Sequence, residues 1–238
     1  VLDVYRNRSY TKVSDRAGAA DGLHYLREQA WPSVYGFNGL SGNDGSGNPW
    51  SPYTDGHNLF AAAADYRADR GNKPYAPCTL ASGCTERTTD VNGGNGGGSG
   101  TYPGHSNWFK AGATENLGSF EVFDARKGDL ARALMYMDLR YDGGSNSITG
   151  QAEPDLVLTD NRALITTTTA GSIASTAYMG LLANVLTWHA GDPPSAQEQL
   201  RNEVVYSWQG NRNPFIDHPE YATCLYSCVC PKPDPVFK

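Results

Sequence analysis

A chain of 238 residues is long enough to bury a real core and fits one large domain or two small ones. Hydrophobic residues make up 39% and charged residues 18%, which excludes a disordered chain and suits a loop-rich globular one. A net charge of −6 argues against gripping nucleic acid by bulk electrostatics, leaving only local positive charge around a groove, and no run of about eighteen apolar residues is present to span a membrane.

Val1 to Ala20 has mixed polarity, with Tyr5, Tyr10 and the basic residues Arg6, Arg8, Lys12 and Arg16; it is expected to open as a docking helix. Leu23 to Trp31 carries apolar residues at 23, 25, 26, 30 and 31, which suits a short strand or turn that Pro32 ends. Asn38 to Pro52 is dense in Gly, Asn and Ser and reads as an exposed hairpin loop. Leu59 to Arg70 holds five Ala and strong helix formers, so a helix is expected there, with Asp55 as its cap and Asn58 in its first turn.

The tract 92–100 is Gly-rich and reads as a surface loop; without a strand before it and a helix after it, it is no phosphate cradle. Leu130, Leu134 and Met137 recur at helical spacing and predict a buried helix from Arg126 to Tyr141. A second helix is expected from Ala174 to His189. The capping pattern Ser195-Ala196-Gln197-Glu198 opens the last, running to Trp208. Asn213-Pro214 stops any extension, and the Cys/Pro-rich tail 222–238 reads as tethered coil.

Five cysteines are present: Cys78, Cys84, Cys224, Cys228 and Cys230. Cys78 and Cys84 flank a short polar loop that a disulfide can close. The three C-terminal ones cannot all pair among themselves, so one is left over or reaches elsewhere. Disulfides in an exported protein, secreted or periplasmic, are the expectation; a zinc cluster is the competing reading, against which the spacing speaks.

Several blocks resemble the endonuclease I family of secreted and periplasmic nucleases. They are Arg27-Glu28-Gln29-Ala30-Trp31-Pro32, Asp55-Gly56-His57-Asn58-Leu59, Arg70-Gly71-Asn72-Lys73-Pro74-Tyr75, Lys127-Gly128-Asp129-Leu130-Ala131-Arg132-Ala133, and Gln209-Gly210-Asn211-Arg212-Asn213-Pro214-Phe215. They occur in the family's order. The resemblance implies an α+β fold: a ββα-metal (His-Me) finger, core about 23–75, embedded in a mainly helical single domain with long loops that spans 1–238. It also implies sugar-nonspecific cleavage of DNA, and in some members RNA, to 5′-phosphate ends by a monomer that does not enter membranes.

In that scheme Glu28 and Asn58 hold one divalent cation. Mg²⁺ is the first expectation, with Ca²⁺ or Mn²⁺ as alternatives, since carboxylate and amide oxygens are hard ligands. Arg27, Arg67, Arg70, Lys73, Arg126, Lys127, Arg132 and Arg212 could line a phosphate groove, with Arg70, Arg126, Lys127 and Arg212 as the candidate phosphate contacts, the bland reading being salt-bridged structural cations. No Arg or Lys lies between Ala30 and Thr54, so a hairpin arginine cannot serve. His57 reads as structural, and Asn211 and Asn213 as residues that fix the loop entering the finger.

Gln29 departs from the family pattern, which places the general-base His there. A neutral amide cannot take a proton near pH 7. The expected function is therefore a disabled endonuclease with catalytic positions Glu28, Gln29 and Asn58. The alternative is a natural pseudo-nuclease that binds nucleic acid, or a protein, without cleavage.

Overall fold

The computed structural model describes residues 1–18, 21–39, 50–90 and 104–230. Along the chain the elements are β1 (Tyr25–Gln29), β2 (Phe37–Asn38), α1 (Ser51–Thr54), β3 (Leu59–Ala63), α2 (Ala64–Arg70), β4 (Thr85–Thr88), β5 (Ser106–Lys110) and β6 (Ser119–Glu121). There follow α3 (Lys127–Arg140), β7 (Asp155–Leu158), β8 (Ser172–Ile173), β9 (Thr176–Met179), α4 (Leu182–Gly191), α5 (Ala196–Gln209), α6 (Pro214–Asp217) and α7 (Tyr221–Ser227). The fold is mixed α and β.

α3 is the central element. Leu130, Ala131, Ala133, Leu134, Met135 and Met137 are all buried, so it is enclosed on more than one face. Its first turn approaches the loop after α4 so closely that a Cβ on Gly128 would meet the Asp192 carbonyl oxygen at 2.0 Å. The Gly128 amide donates to the Asp192 carboxylate at 2.9 Å. Buried Arg132 then clamps α5 through two short bonds to Glu198, Nε to Oε1 at 2.5 Å and Nη2 to Oε2 at 2.6 Å. The Lys-Gly-Asp-x-Ala-Arg block is thus explained by packing.

β1 and β3 pair antiparallel, with Glu28 opposite Phe60 and Gln29 opposite Leu59. α2 follows β3 without a break. The expected helix over Leu59–Arg70 is corrected here: its first five residues are strand. Alanine favours helix by well under 1 kcal/mol per residue, and tertiary pairing overrides it. β1 takes up one edge of the segment, Val4 N–H donates to the Ala61 carbonyl, and Asp3 accepts from the Ala63 N–H. Asn58 therefore precedes a strand and lies in no helical turn, and Asp55 does not open the helix; it follows α1 as its C-cap residue, while α2 starts after Ala63.

The helix expected over Ala174–His189 is likewise split. Thr176–Met179 pairs parallel with β7, Gly180 turns at φ +77°, and helix begins only at Leu182. α3 and α5 fall where the periodicity and capping pattern place them, with Ser195 Oγ accepting from Glu198 N–H at 3.2 Å. Residues 1–18 contain no helix but short bridges such as Leu2 to Ser9, and the expected coil after Tyr221 begins as α7. Disulfides join Cys78 to Cys84 and Cys224 to Cys230, leaving Cys228 free and exposed. Most of the expected hairpin loop and the Gly-rich tract 92–100 lie outside the described residues. Among those described, no helix is long and apolar enough to cross a membrane.

Candidate functional site

The pairing of β1 with β3 decides which residues share a face. Side chains alternate along a strand, so Glu28 points to one side with Phe60, and Tyr25, Arg27 and Gln29 point to the other. One residue beyond the ladder, Ala30 N–H donates to the Asn58 carbonyl at 3.0 Å, which sets Asn58 opposite Ala30 on the Glu28 side. The sequence reading placed these two oxygens together, and the register agrees as far as the face.

Their partners are another matter. Glu28 is 2% exposed. Its Oε1 accepts from Tyr5 O–H at 2.8 Å and from Arg70 Nη1 at 3.1 Å, which uses both lone pairs, and its Oε2 sits 3.2 Å from Arg67 Nε. Burial pushes the Glu28 carboxyl up, opposed by the charges of Arg70 and Arg67 and by the Tyr5 bond. Burial and the neighbouring Glu28 charge hold the Tyr5 phenol well above its usual range, so it remains a donor. The fully buried Asn58 amide is spent on one backbone residue: Oδ1 accepts from Trp31 N–H at 2.7 Å and Nδ2 donates to the Trp31 carbonyl at 3.2 Å.

A hard divalent ion needs open oxygen lone pairs converging on one point. Glu28 Oε2 and Asn58 Oδ1, which accepts a single hydrogen bond, each keep an open lone pair, the first beside the Arg67 guanidinium. Among the described residues no group of three or more His, Cys, Asp or Glu side chains could hold a metal ion. Two protein oxygens with water are what Mg²⁺ commonly takes, and the Arg67 guanidinium, 3.2 Å from Glu28 Oε2, is the group such an ion would have to displace.

Gln29 is half-buried. Its Nε2 donates to the Tyr53 carbonyl and its Oε1 accepts from Ser33 N–H, both at 3.3 Å. His57 does not stand in for a base. It is fully buried, its Nε2 lies 3.1 Å from the Asn211 carbonyl, and burial pushes its imidazole below the usual value and so towards neutrality. It belongs to a knot centred on Asp55, whose carboxylate accepts from Tyr136 and Tyr141 O–H at 2.8 Å each, from Gln209 Nε2 at 2.9 Å and from His57 N–H at 2.9 Å. Asn211 Nδ2 donates to Tyr136 Oη at 2.6 Å. Asn213 caps α6 and donates to the Arg132 carbonyl at 3.0 Å. The Asp-x-His-Asn and Gln-Gly-Asn-x-Asn blocks are the two halves of one tie.

The four expected phosphate contacts are each engaged within the chain. Arg70 is 1% exposed, stacked 4.7 Å over Tyr75 and bonded to Glu28 and the Ala30 carbonyl, so it cannot reach a ligand in solvent. Arg126 pairs with Asp129 at 3.4 Å, Lys127 with Glu121 and Asp124 at 2.7 Å each, and Arg212 with Asp217 and Glu203. Each has an acid beside it, and the structural reading fits all four.

A cationic surface does exist, elsewhere. Residues 15–17 run beside β1, with Tyr25 N–H donating to the Asp15 carbonyl at 2.9 Å and Ala17 N–H to the Tyr25 carbonyl at 3.0 Å. This brings Arg16 next to Arg27 and Arg67 around an open groove of about 460 Å³ that includes Tyr25, Phe60 and Ala61. The sequence carried no signal for Arg16, because its neighbour is set by a contact rather than by spacing.

A strand pair thus runs straight into a helix, and the motif blocks are tied across a central buried helix. The chain belongs to the Endonuclease I family, whose profile matches residues 1–220. It is similar to the extracellular ribonuclease of Bacillus amyloliquefaciens, 32% identical over 224 residues, covering 93% of this chain and 60% of that protein. It is also similar to the extracellular ribonuclease of Bacillus subtilis (strain 168), 31% identical over 223 residues with the same coverages. The chain thus spans about 60% of the length of these relatives.

Proposed function

We propose that this chain is an exported nucleic-acid-binding protein on the endonuclease I scaffold that holds its ligand without hydrolysing it at an appreciable rate. One observation carries this reading: the position of the family's general base is Gln29, an amide already bonded to the Tyr53 carbonyl and Ser33 N–H. A positioned base contributes roughly 10²–10⁴ in rate, and buried His57 is held elsewhere. The family membership supports nucleic acid as ligand. The relatives' description as ribonucleases favours RNA over DNA, and their extracellular description together with two disulfides supports export.

Mg²⁺ is the ion the family implies; Glu28 Oε2 and Asn58 Oδ1 would hold it once Arg67 moves aside, and no step is assigned to it. The reading is tested by incubating single-stranded RNA and plasmid DNA with the unaltered chain and with Gln29→His combined with Arg67→Ala, which supplies a base and uncovers Glu28 Oε2. The unaltered chain is expected to cut at least about 10²-fold more slowly than the double variant. Rapid cleavage by the unaltered chain, equal to that of the variant, would sink the proposal.

A further inference from the structure

Beside β1 lies a charged groove in which Arg27 of the first motif block is joined by Arg16 and Arg67, which lie outside the blocks. The geometry points to this groove as a channel that binds a phosphodiester backbone without a divalent ion, the Arg67 guanidinium being the fixed positive charge beside Glu28. This rests on the nucleic-acid reading above and specifies how that ligand is held.

Charge distribution is the first support. In a chain of net charge −6, most cations are neutralised locally: Arg87 faces Asp65 and Asp69, Arg132 faces Glu198, and Arg140 faces Glu153. Around the groove this is not so. Arg16 and Lys12 are exposed and form no ion pair among the described residues, and exposed Arg27 lies over the Tyr53 ring at 4.2 Å and bonds its hydroxyl. The Lys12 backbone is held beside the groove by Tyr25 O–H at 2.7 Å. The acids nearby in sequence have partners of their own: Asp15 accepts from Thr11 N–H and Ser14 O–H, and Asp21 from Leu23 N–H while it faces His24. Those bonds leave Asp15 and Asp21 charged, but Lys12, Arg16, Arg27 and Arg67 outnumber them, so positive charge prevails where backbone phosphates would run.

The second support is the state of Arg67. Only its Nε is used: it donates to the Arg27 carbonyl at 3.0 Å and lies 3.2 Å from Glu28 Oε2 as an ion pair. Its two terminal amino groups have no protein acceptor among the described residues, and its side chain is 48% exposed. An anchored guanidinium with free N–H donors is suited to pairing with phosphate oxygens. The Arg67 guanidinium also stands 3.2 Å from Glu28 Oε2, the oxygen that Tyr5 and Arg70 leave open, so a cation of the chain's own lies beside it.

The test is fluorescence anisotropy of a short labelled single-stranded RNA with the full chain, in EDTA and in Mg²⁺, over a range of monovalent salt. Binding in EDTA is expected to be at least as tight as in Mg²⁺. Arg67→Ala and Arg16→Ala are each expected to weaken it about tenfold, the scale of one charge-assisted contact. Each should also flatten the slope of log affinity against log salt by about 0.7. Lys110→Ala, whose amine bonds the Ser82 carbonyl away from the groove, should bind like the unaltered chain. Binding that vanishes in EDTA and returns with Mg²⁺, or groove variants that bind as tightly as the unaltered chain, overturns this inference while leaving nucleic-acid binding in place. An unaltered chain that binds no RNA or DNA overturns both.

Discussion

Replacing Arg70 by Met should be far more damaging than replacing Arg67, although both guanidiniums touch the same carboxylate. The Arg70 side chain is 2% exposed and Glu28 3%, whereas Arg67 is 48% exposed. Removing Arg70 leaves Glu28 buried with its charge met only from the solvent side, and frees the Gln29 and Ala30 carbonyls that Arg70 satisfies. Breaking one half of a buried ion pair costs about 3–5 kcal/mol, while an exposed pair contributes about 0–1 kcal/mol. With a urea slope of about 3 kcal/mol/M for a domain of this size, Arg70→Met should lower the unfolding midpoint by about 1–1.7 M, and Arg67→Met by less than about 0.3 M. Urea unfolding followed by tryptophan fluorescence measures both, and a cycle with Glu28→Gln should give a coupling of about 2 kcal/mol or more for Arg70. Equal shifts for the two arginines would refute the division of Glu28 into a structural and a solvent-facing oxygen.

Three further predictions concern the frame around the site. Asp129, half-buried near Glu198, has its carboxyl raised to about 7 by desolvation first and the Glu198 charge second. Its folded value exceeds the ordinary 3.8, so the native state binds more protons than the unfolded one between those values, and stability falls as pH rises through that window. Asp129→Asn should therefore stabilise by on the order of 1–3 kcal/mol at pH 8 and by much less at pH 5; a pH-independent effect in melting curves would contradict this. Gly128→Ala, whose Cβ would meet the Asp192 carbonyl oxygen at 2.0 Å, should lower stability by about 1–3 kcal/mol, the cost of overpacking. An unchanged midpoint would show that the α3–α4 loop contact is loose. Finally, two disulfides and one exposed Cys228 predict one thiol per native chain reacting with Ellman's reagent; none or three would overturn the pairing.

The family, the mixed fold class, α3, α5 and the Cys78–Cys84 pairing could be read from residue patterns, because each is set by local spacing. β3 and β9 could not. Ala-rich Leu59–Ala63 and apolar Thr176–Met179 prefer helix weakly, and both are strands because of partners far away in the chain, β1 in one case and β7 in the other. The same limit governed the site. The motif identified Glu28, Gln29 and Asn58, but nothing near them in sequence announces that Tyr5, 23 residues earlier, fills a Glu28 lone pair. Nor could the pattern show that Trp31 absorbs the Asn58 amide, or that Arg70 points inward and Arg67 outward from one short helix. Motif spacing tells which residues meet; the remaining lone pairs depend on packing.

The most direct measurement of the central claim is to titrate a labelled single-stranded RNA with the chain in Mg²⁺, then recover the bound RNA and size it on a denaturing gel. The account predicts saturable binding and RNA of undiminished length after prolonged incubation. Shortened RNA would contradict the assignment of Gln29 as a lost base, and RNA that never binds would contradict the assignment of nucleic acid as ligand.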